Sequence, residues 1–145
     1  MIRSYCLDTN IILLLLRGKV LGKSIDQMFG LSAAPYLHTI SIVTHGEMRV
    51  LCDRNGWGGA RRLALDKALM EFVTVDVAGS QIVEAYRTVE EANTTVSKTM
   101  GKNDVWIAAT AVVTGLALLT TDKDFNHLNR NLLEVHHVDP QFHLN

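Results

Sequence analysis

Tyr5-Cys6-Leu7-Asp8-Thr9-Asn10 is the stretch that decides the fold, together with the apolar run of residues 11–16 that follows it and stops at Arg17-Gly18. Tyr5, Cys6 and Leu7 succeed one another without polar alternation, which is how a strand covered on both faces reads, and this predicts a central parallel strand. An acid ends it. Thr9 and Asn10 are good helix-start residues, so the order is strand, acid, helix. In open α/β sheets ligands gather outside the carboxyl ends of the strands, which makes Asp8 a site candidate as well as a cap for its helix.

The rest of the chain fits one α/β domain spanning residues 1–145, long enough to bury a core. Hydrophobic residues make up 48% and charged residues 20%, which excludes a disordered or collagen-like chain. Fourteen basic against fifteen acidic residues leave a net charge of −1, so any contact with nucleic acid has to come from a local patch. Cys6 and Cys52 form neither a disulfide framework nor a zinc-ligand pair, as expected of a cytoplasmic protein. Arg3 and the apolar residues after it imitate a signal peptide, but Asp8 and Asn10 interrupt them and no small-residue cleavage site follows. No run approaches the ~18 apolar residues of a membrane span.

Further along, residues 20–31 have helical spacing and complete a hairpin with residues 11–17, and Ala33-Ala34-Pro35 ends it. Residues 37–43 (L-H-T-I-S-I-V) read as a second strand. A helix is predicted from Thr44 to Gly56, with Thr44 and Glu47 as a capping box. Another covers residues 60–72, a short strand residues 73–76, and a helix residues 80–93. Residues 94–102 read as a loop carrying Lys98 and Lys102. Asn103 is the expected N-cap of a helix over residues 104–114 that Gly115 stops. Residues 116–120 form a buried strand ending at Thr121-Asp122-Lys123-Asp124, and residues 131–138 a last strand before a tail ending at Asn145.

Asp8, Glu47, Asp104 and Asp122 thus each follow a strand or sit in the first turn of a helix. Capping accounts for each singly. In a parallel sheet, however, these positions share one edge, and carboxylates packed together repel unless a cation neutralises them. Hard oxygen donors suit Mg²⁺ or Mn²⁺, and the chemistry this favours is metal-assisted phosphodiester hydrolysis.

Four segments now carry a family resemblance: L-D-T-N (residues 7–10), S-I-V-T-H-G-E (41–47), N-D-V-W-I-A-A-T-A (103–111) and L-L-T-T-D-K-D-F (118–125). They resemble, in order and over nearly the whole chain, the PIN-domain ribonucleases, especially the VapC-type toxins of bacterial type II toxin–antitoxin pairs. The resemblance implies a three-layer α/β/α fold with a mainly parallel sheet of four to five strands, the first strand central. It implies an endoribonuclease that hydrolyses RNA through a water activated by Mg²⁺ or Mn²⁺. Asp8, Glu47, Asp104 and Asp122 match the family's acidic quartet, as catalytic residues and metal ligands, and Asp124 is an auxiliary acid. Asn10 and Thr120 would orient carboxylates or phosphate. A homodimer and a VapB-like antitoxin are the implied partners.

Substrate binding would draw on cations flanking the acidic edge, foremost Arg49, Lys98 and Lys102, with Arg54, Arg61 and Arg62 nearby. Tyr36 and Trp57 are available to stack on bases, or to pack. Other readings compete. A haloacid-dehalogenase-type phosphatase needs an acid where Asn10 stands. His45-Gly46-Glu47 matches half of a zinc deaminase motif whose P-C-x-x-C half is missing. His136 and His137 point to opposite faces of a strand, which suits packing better than metal binding. A receiver-like domain would form aspartyl phosphate instead of cutting RNA. A catalytically silent PIN-fold binding module and a housekeeping PIN nuclease without antitoxin remain as alternatives.

Overall fold

The computed structural model describes residues 3–141. Along the chain they form β1 (Tyr5–Leu7), α1 (Thr9–Arg17), α2 (Val20–Phe29), β2 (Thr39–Ser41), α3 (Ile42–Arg54) and α4 (Gly59–Leu69). These are followed by β3 (Val73–Val75), α5 (Ser80–Thr95), α6 (Lys102–Thr114), β4 (Ala117–Thr120), a 3-10 helix (Lys123–Leu128) and β5 (Val135–His137). The strands build one sheet of order β3-β2-β1-β4-β5, every neighbouring pair parallel. The first strand is central, as the sequence leads one to expect.

Strand alternation sorts the core into two layers. Tyr5, Leu7, Ala117 and Leu119 meet Ile11, Ile12, Ile25, Met48 and Leu69 from α1 to α4. Cys6 and Leu118 face the other way, onto Val89, Val105, Ile107, Ala108 and Phe125 from α5, α6 and the 3-10 helix. The buried, unalternated β1 is therefore explained by helices on both sides.

The α1–α2 hairpin turns at Gly18, whose φ of 61° frees its amide to bond the carbonyls of Leu14 and Leu15. Gly22 then brings α2 so close that a Cβ there would stand 2.2 Å from the Leu14 carbonyl oxygen. Backbone cannot move aside as a side chain can. Gly22→Ala is expected to cost about 1–3 kcal/mol, or a fall of about 3–9 °C in Tm, measurable by thermal circular dichroism. An unchanged Tm would mean that the hairpin yields freely.

Three expectations need correction. β2 stops at Ser41, and Ser41 caps α3 by accepting from the Val43 amide, so Ile42 and Val43 are helical and Thr44 lies inside α3. No capping box pairs Thr44 with Glu47. The N-cap of α6 is Gly101, placing Asn103 within the helix. The last strand is confined to Val135–His137, preceded by an isolated Asn129–Leu133 bridge. The tail at residues 142–145 and the first two residues of the opening run lie outside the described residues. Among the described residues no helix is long and apolar enough to cross a membrane.

Candidate active site

β1 delivers Asp8 to the carboxyl edge of the sheet, where it is 3% exposed. Its Oδ1 accepts from the Thr9 amide at 2.8 Å, and its Oδ2 accepts from the Thr120 hydroxyl at 2.7 Å. Thr120, at the end of β4, also accepts from the Asp122 amide at 2.9 Å, so one hydroxyl ties two acid-bearing turns together. Beside it, the Thr9 hydroxyl donates to Glu47 Oε1 at 2.7 Å. Having one proton to give, Thr9 must accept at its 2.9 Å contact with the Thr44 hydroxyl. Glu47 is thus held by a relay from inside α3, a constraint that the capping-box expectation missed.

Asp104 lies in the first turn of α6 and, among the described residues, accepts no protein hydrogen bond. Asp122 caps the 3-10 helix, accepting from the Asp124 amide at 2.9 Å. Asp8, Asn10, Glu47, Asn103 and Asp104 line a cleft of about 610 Å³ with Arg54 at one end. Asp122 and Asp124 stand outside its wall and act on it through charge. A groove of about 590 Å³ by α1 and α4, holding Leu13, Arg17, Trp57 and Arg61, has no acid in its lining.

The carboxyls perturb one another. Burial pushes Asp8 up to about 7, the charges of Asp104 and Glu47 add to it, and the bonds from Thr120 and Thr9 oppose it. Asp104 is raised to about 6, by burial first and then by Asp122, Glu47 and Asp124. Among the described residues none of these five acids pairs with a lysine, arginine or histidine. This is an uncompensated concentration of negative charge, and hard oxygen donors of this kind fit Mg²⁺ or Mn²⁺. Among the described residues no group of three or more histidine, cysteine, aspartate or glutamate side chains is placed to hold a metal ion as it stands.

Most expected cations are engaged elsewhere. Arg49 is 2.9 Å from Asp66 of α4, and Lys102 is 3.4 Å from Glu90 of α5. Arg62 pairs with Asp53. Lys98 is exposed on the loop before α6 and forms no ion pair among the described residues. The Arg61 guanidinium covers the Trp57 ring at 5.0 Å, and Tyr36, ahead of β2, packs on His38. Neither aromatic lines the acidic cleft. His136 contacts Arg3 and Glu134 while the His137 ring donates to the Thr121 carbonyl, so the two histidines hold separate parts of the fold.

Because Thr120 orients Asp8 and Asp122 together, Thr120→Val is expected to lower any activity of this site by about 10–100-fold with the fold retained. Initial rates alongside a melting curve check it; full activity would remove Thr120 from the site.

The PIN domain family model matches residues 5–131, most of the chain. The chain belongs to the PIN-domain family. Ribonuclease VapC4 of Mycobacterium tuberculosis is 34% identical to it over 94 residues, which is 63% of this chain and 72% of that protein. Among solved structures, VapBC2 from Rickettsia felis, bound to a DNA fragment from its promoter, superposes with a TM-score of 0.78 at 20% identity. That match covers 94% of this PIN domain and 100% of the other chain. DNA-bound VapBC from Salmonella typhimurium gives 0.73 at 19% identity, covering 94% and 98% of the two chains. FitAcB from Neisseria gonorrhoeae gives 0.70 at 21%, covering 92% and 97%. At these identities the superpositions speak for the fold that the PIN domains share.

Proposed function

We propose that this PIN domain is a Mg²⁺- or Mn²⁺-dependent endoribonuclease of the VapC type, hydrolysing RNA phosphodiester bonds and restrained by a VapB-like antitoxin. The observation that carries the reading is the set of acids without cationic partners around one cleft, with Asp8 and Asp104 both raised by burial and by the other carboxylates. Asp8, Glu47, Asp104 and Asp122 would hold the cation, with Asp124 adding charge. Mg²⁺ or Mn²⁺ bound there would supply Lewis acidity and lower the pKa of an attacking water.

The chain's own part is positioning. Thr120 fixes Asp8 and the Asp122 turn, the Thr44–Thr9 relay fixes Glu47, and Asp104 is left free to turn toward a cation. Asn10, exposed at the cleft, has an amide available to a phosphate oxygen. The name of the mycobacterial relative supports ribonuclease chemistry, and the VapBC toxin–antitoxin complexes support an antitoxin partner. The whole described chain acts as one unit in this proposal.

The deciding experiment incubates total cellular RNA with antitoxin-free protein in Mn²⁺, Mg²⁺ or EDTA, beside an Asp104→Asn control. Discrete products that need the metal and vanish in the control are expected. Folded, metal-binding protein that leaves the RNA intact would argue for a binding role instead.

A further inference from the structure

The acidic cleft has a second end. Arg54 lines it, seven residues beyond Glu47 on α3, a spacing that puts both on one helix face about two turns, or roughly 10 Å, apart. Unlike Arg49, Arg62 and Lys102, Arg54 has no ion-pair partner among the described residues, and it is exposed. Between Glu47 and Arg54 the cleft wall is Val50, 45% exposed, with Gly46 one turn back, where even a Cβ would meet nothing within 4 Å. The floor is uncharged and smooth. On the opposite rim stand the exposed Asn10 and Asn103, whose amides make no hydrogen bond among the described residues.

A polyanion entering this cleft meets carboxylates at one end, which repel it unless a cation is bound, and a guanidinium at the other, which attracts it. A guanidinium could reach that far, but among the described residues Arg54 forms no ion pair with Asp8, Glu47 or Asp104, so it stands away from the carboxylates. That placement suits a phosphate adjacent to the one at the carboxylates. We infer that Arg54 binds a non-scissile phosphate of single-stranded RNA next to the bond that is cut, with the intervening nucleoside lying over the Gly46–Val50 floor. The inference rests on the ribonuclease reading and adds to it a subsite that makes cleavage depend on RNA length. A duplex cannot lay one strand's nucleoside on that floor without unpairing it, so single strands are preferred.

The test uses the full chain and an RNA centred on the scissile bond mapped in the total-RNA digest, as a dinucleotide and as an oligonucleotide extended on both sides. On the extended RNA, Arg54→Ala is expected to raise KM about tenfold, to leave kcat within about twofold, and to flatten the salt dependence of log(kcat/KM) by about 0.7. On the dinucleotide the variant and the parent should match. Arg54→Lys should keep the salt slope that Arg54→Gln loses. Arg54 ends α3, so Arg54→Ala should lower the melting temperature by no more than the few degrees of a helix-end charge, and the dependence on RNA length separates a phosphate contact from that helix-end role. An unchanged KM and slope on the extended RNA, or an equal loss on both RNAs, overturns the subsite while leaving the nuclease in place. No cleavage by the parent protein overturns the ribonuclease reading and the subsite with it.

Discussion

Asp104→Asn is expected to reduce RNA cleavage by at least about 10³-fold and, in the same protein, to raise the melting temperature measured in EDTA. The two effects share one cause. Burial first, and then the charges of Asp122, Glu47 and Asp124, raise the pKa of Asp104, and among the described residues nothing in the protein donates to it. Its charge destabilises the metal-free fold and, on the proposed reading, would be kept for the cation it binds. Asparagine keeps the shape, removes the repulsion and removes the ligand. Asp8→Asn should lose activity as severely without the gain in stability. Its amide nitrogen would face the Thr120 hydroxyl, whose proton now goes to Asp8 while its oxygen accepts from Asp122. Single-turnover rates and melting curves of the two variants check this; an Asp104→Asn protein that melts lower than its parent in EDTA would contradict the repulsion argument.

The second large effect is on pH. Asp8 ionises near 3.8 in an unfolded chain and only at about 7 in the fold. Between those values the native state holds a proton that the unfolded state has released, so stability falls as pH rises. The contribution is fully present below the lower value, is lost on the way to about 7, and levels off above it. It is on the order of a few kcal/mol at most, with Asp104 acting in the same direction. On the proposed reading a divalent ion would reverse the trend, because it would bind the ionised carboxylates and displace the proton. Melting curves recorded in EDTA and in Mn²⁺ across about pH 5 to pH 8 should diverge as pH rises, with protons released on Mn²⁺ addition near neutrality. A Mn²⁺ increment in Tm that is independent of pH, or that grows toward acid, would disprove the carboxylate coupling.

Much of this architecture could be read from residues alone, for physical reasons that differ by element. β1 and β4 lie under helices on both faces, so their apolar runs had no other reading, and the acids after them marked the carboxyl edge. The start of α3 was misread because Ile42 and Val43 are β-branched and favour strands locally, while the Ser41 cap and the tertiary packing draw them into the helix. The acid positions survive this error, since Glu47 needs only to be one turn along α3. The hydroxyl relay from Thr44 to Glu47 was hidden, because it joins residues 35 and 38 positions apart. Cation roles were hidden in the same way: whether Arg49 or Arg54 faces the cleft depends on Asp66, which only the docking of α4 brings to Arg49.

The hydrogen bond from Thr120 to Asp8 spans 112 residues of chain, and β1 is flanked on one side by β4. On a ribosome the amino-terminal two-thirds can collapse around β1 and β2 well before residue 120 has been made. Asp8 then lacks Thr120, Asp104 lacks its settled helix, and the acidic turn at Asp122 does not exist. A chain of this topology completes its acidic edge only once residues 102–122 have folded against the first strand.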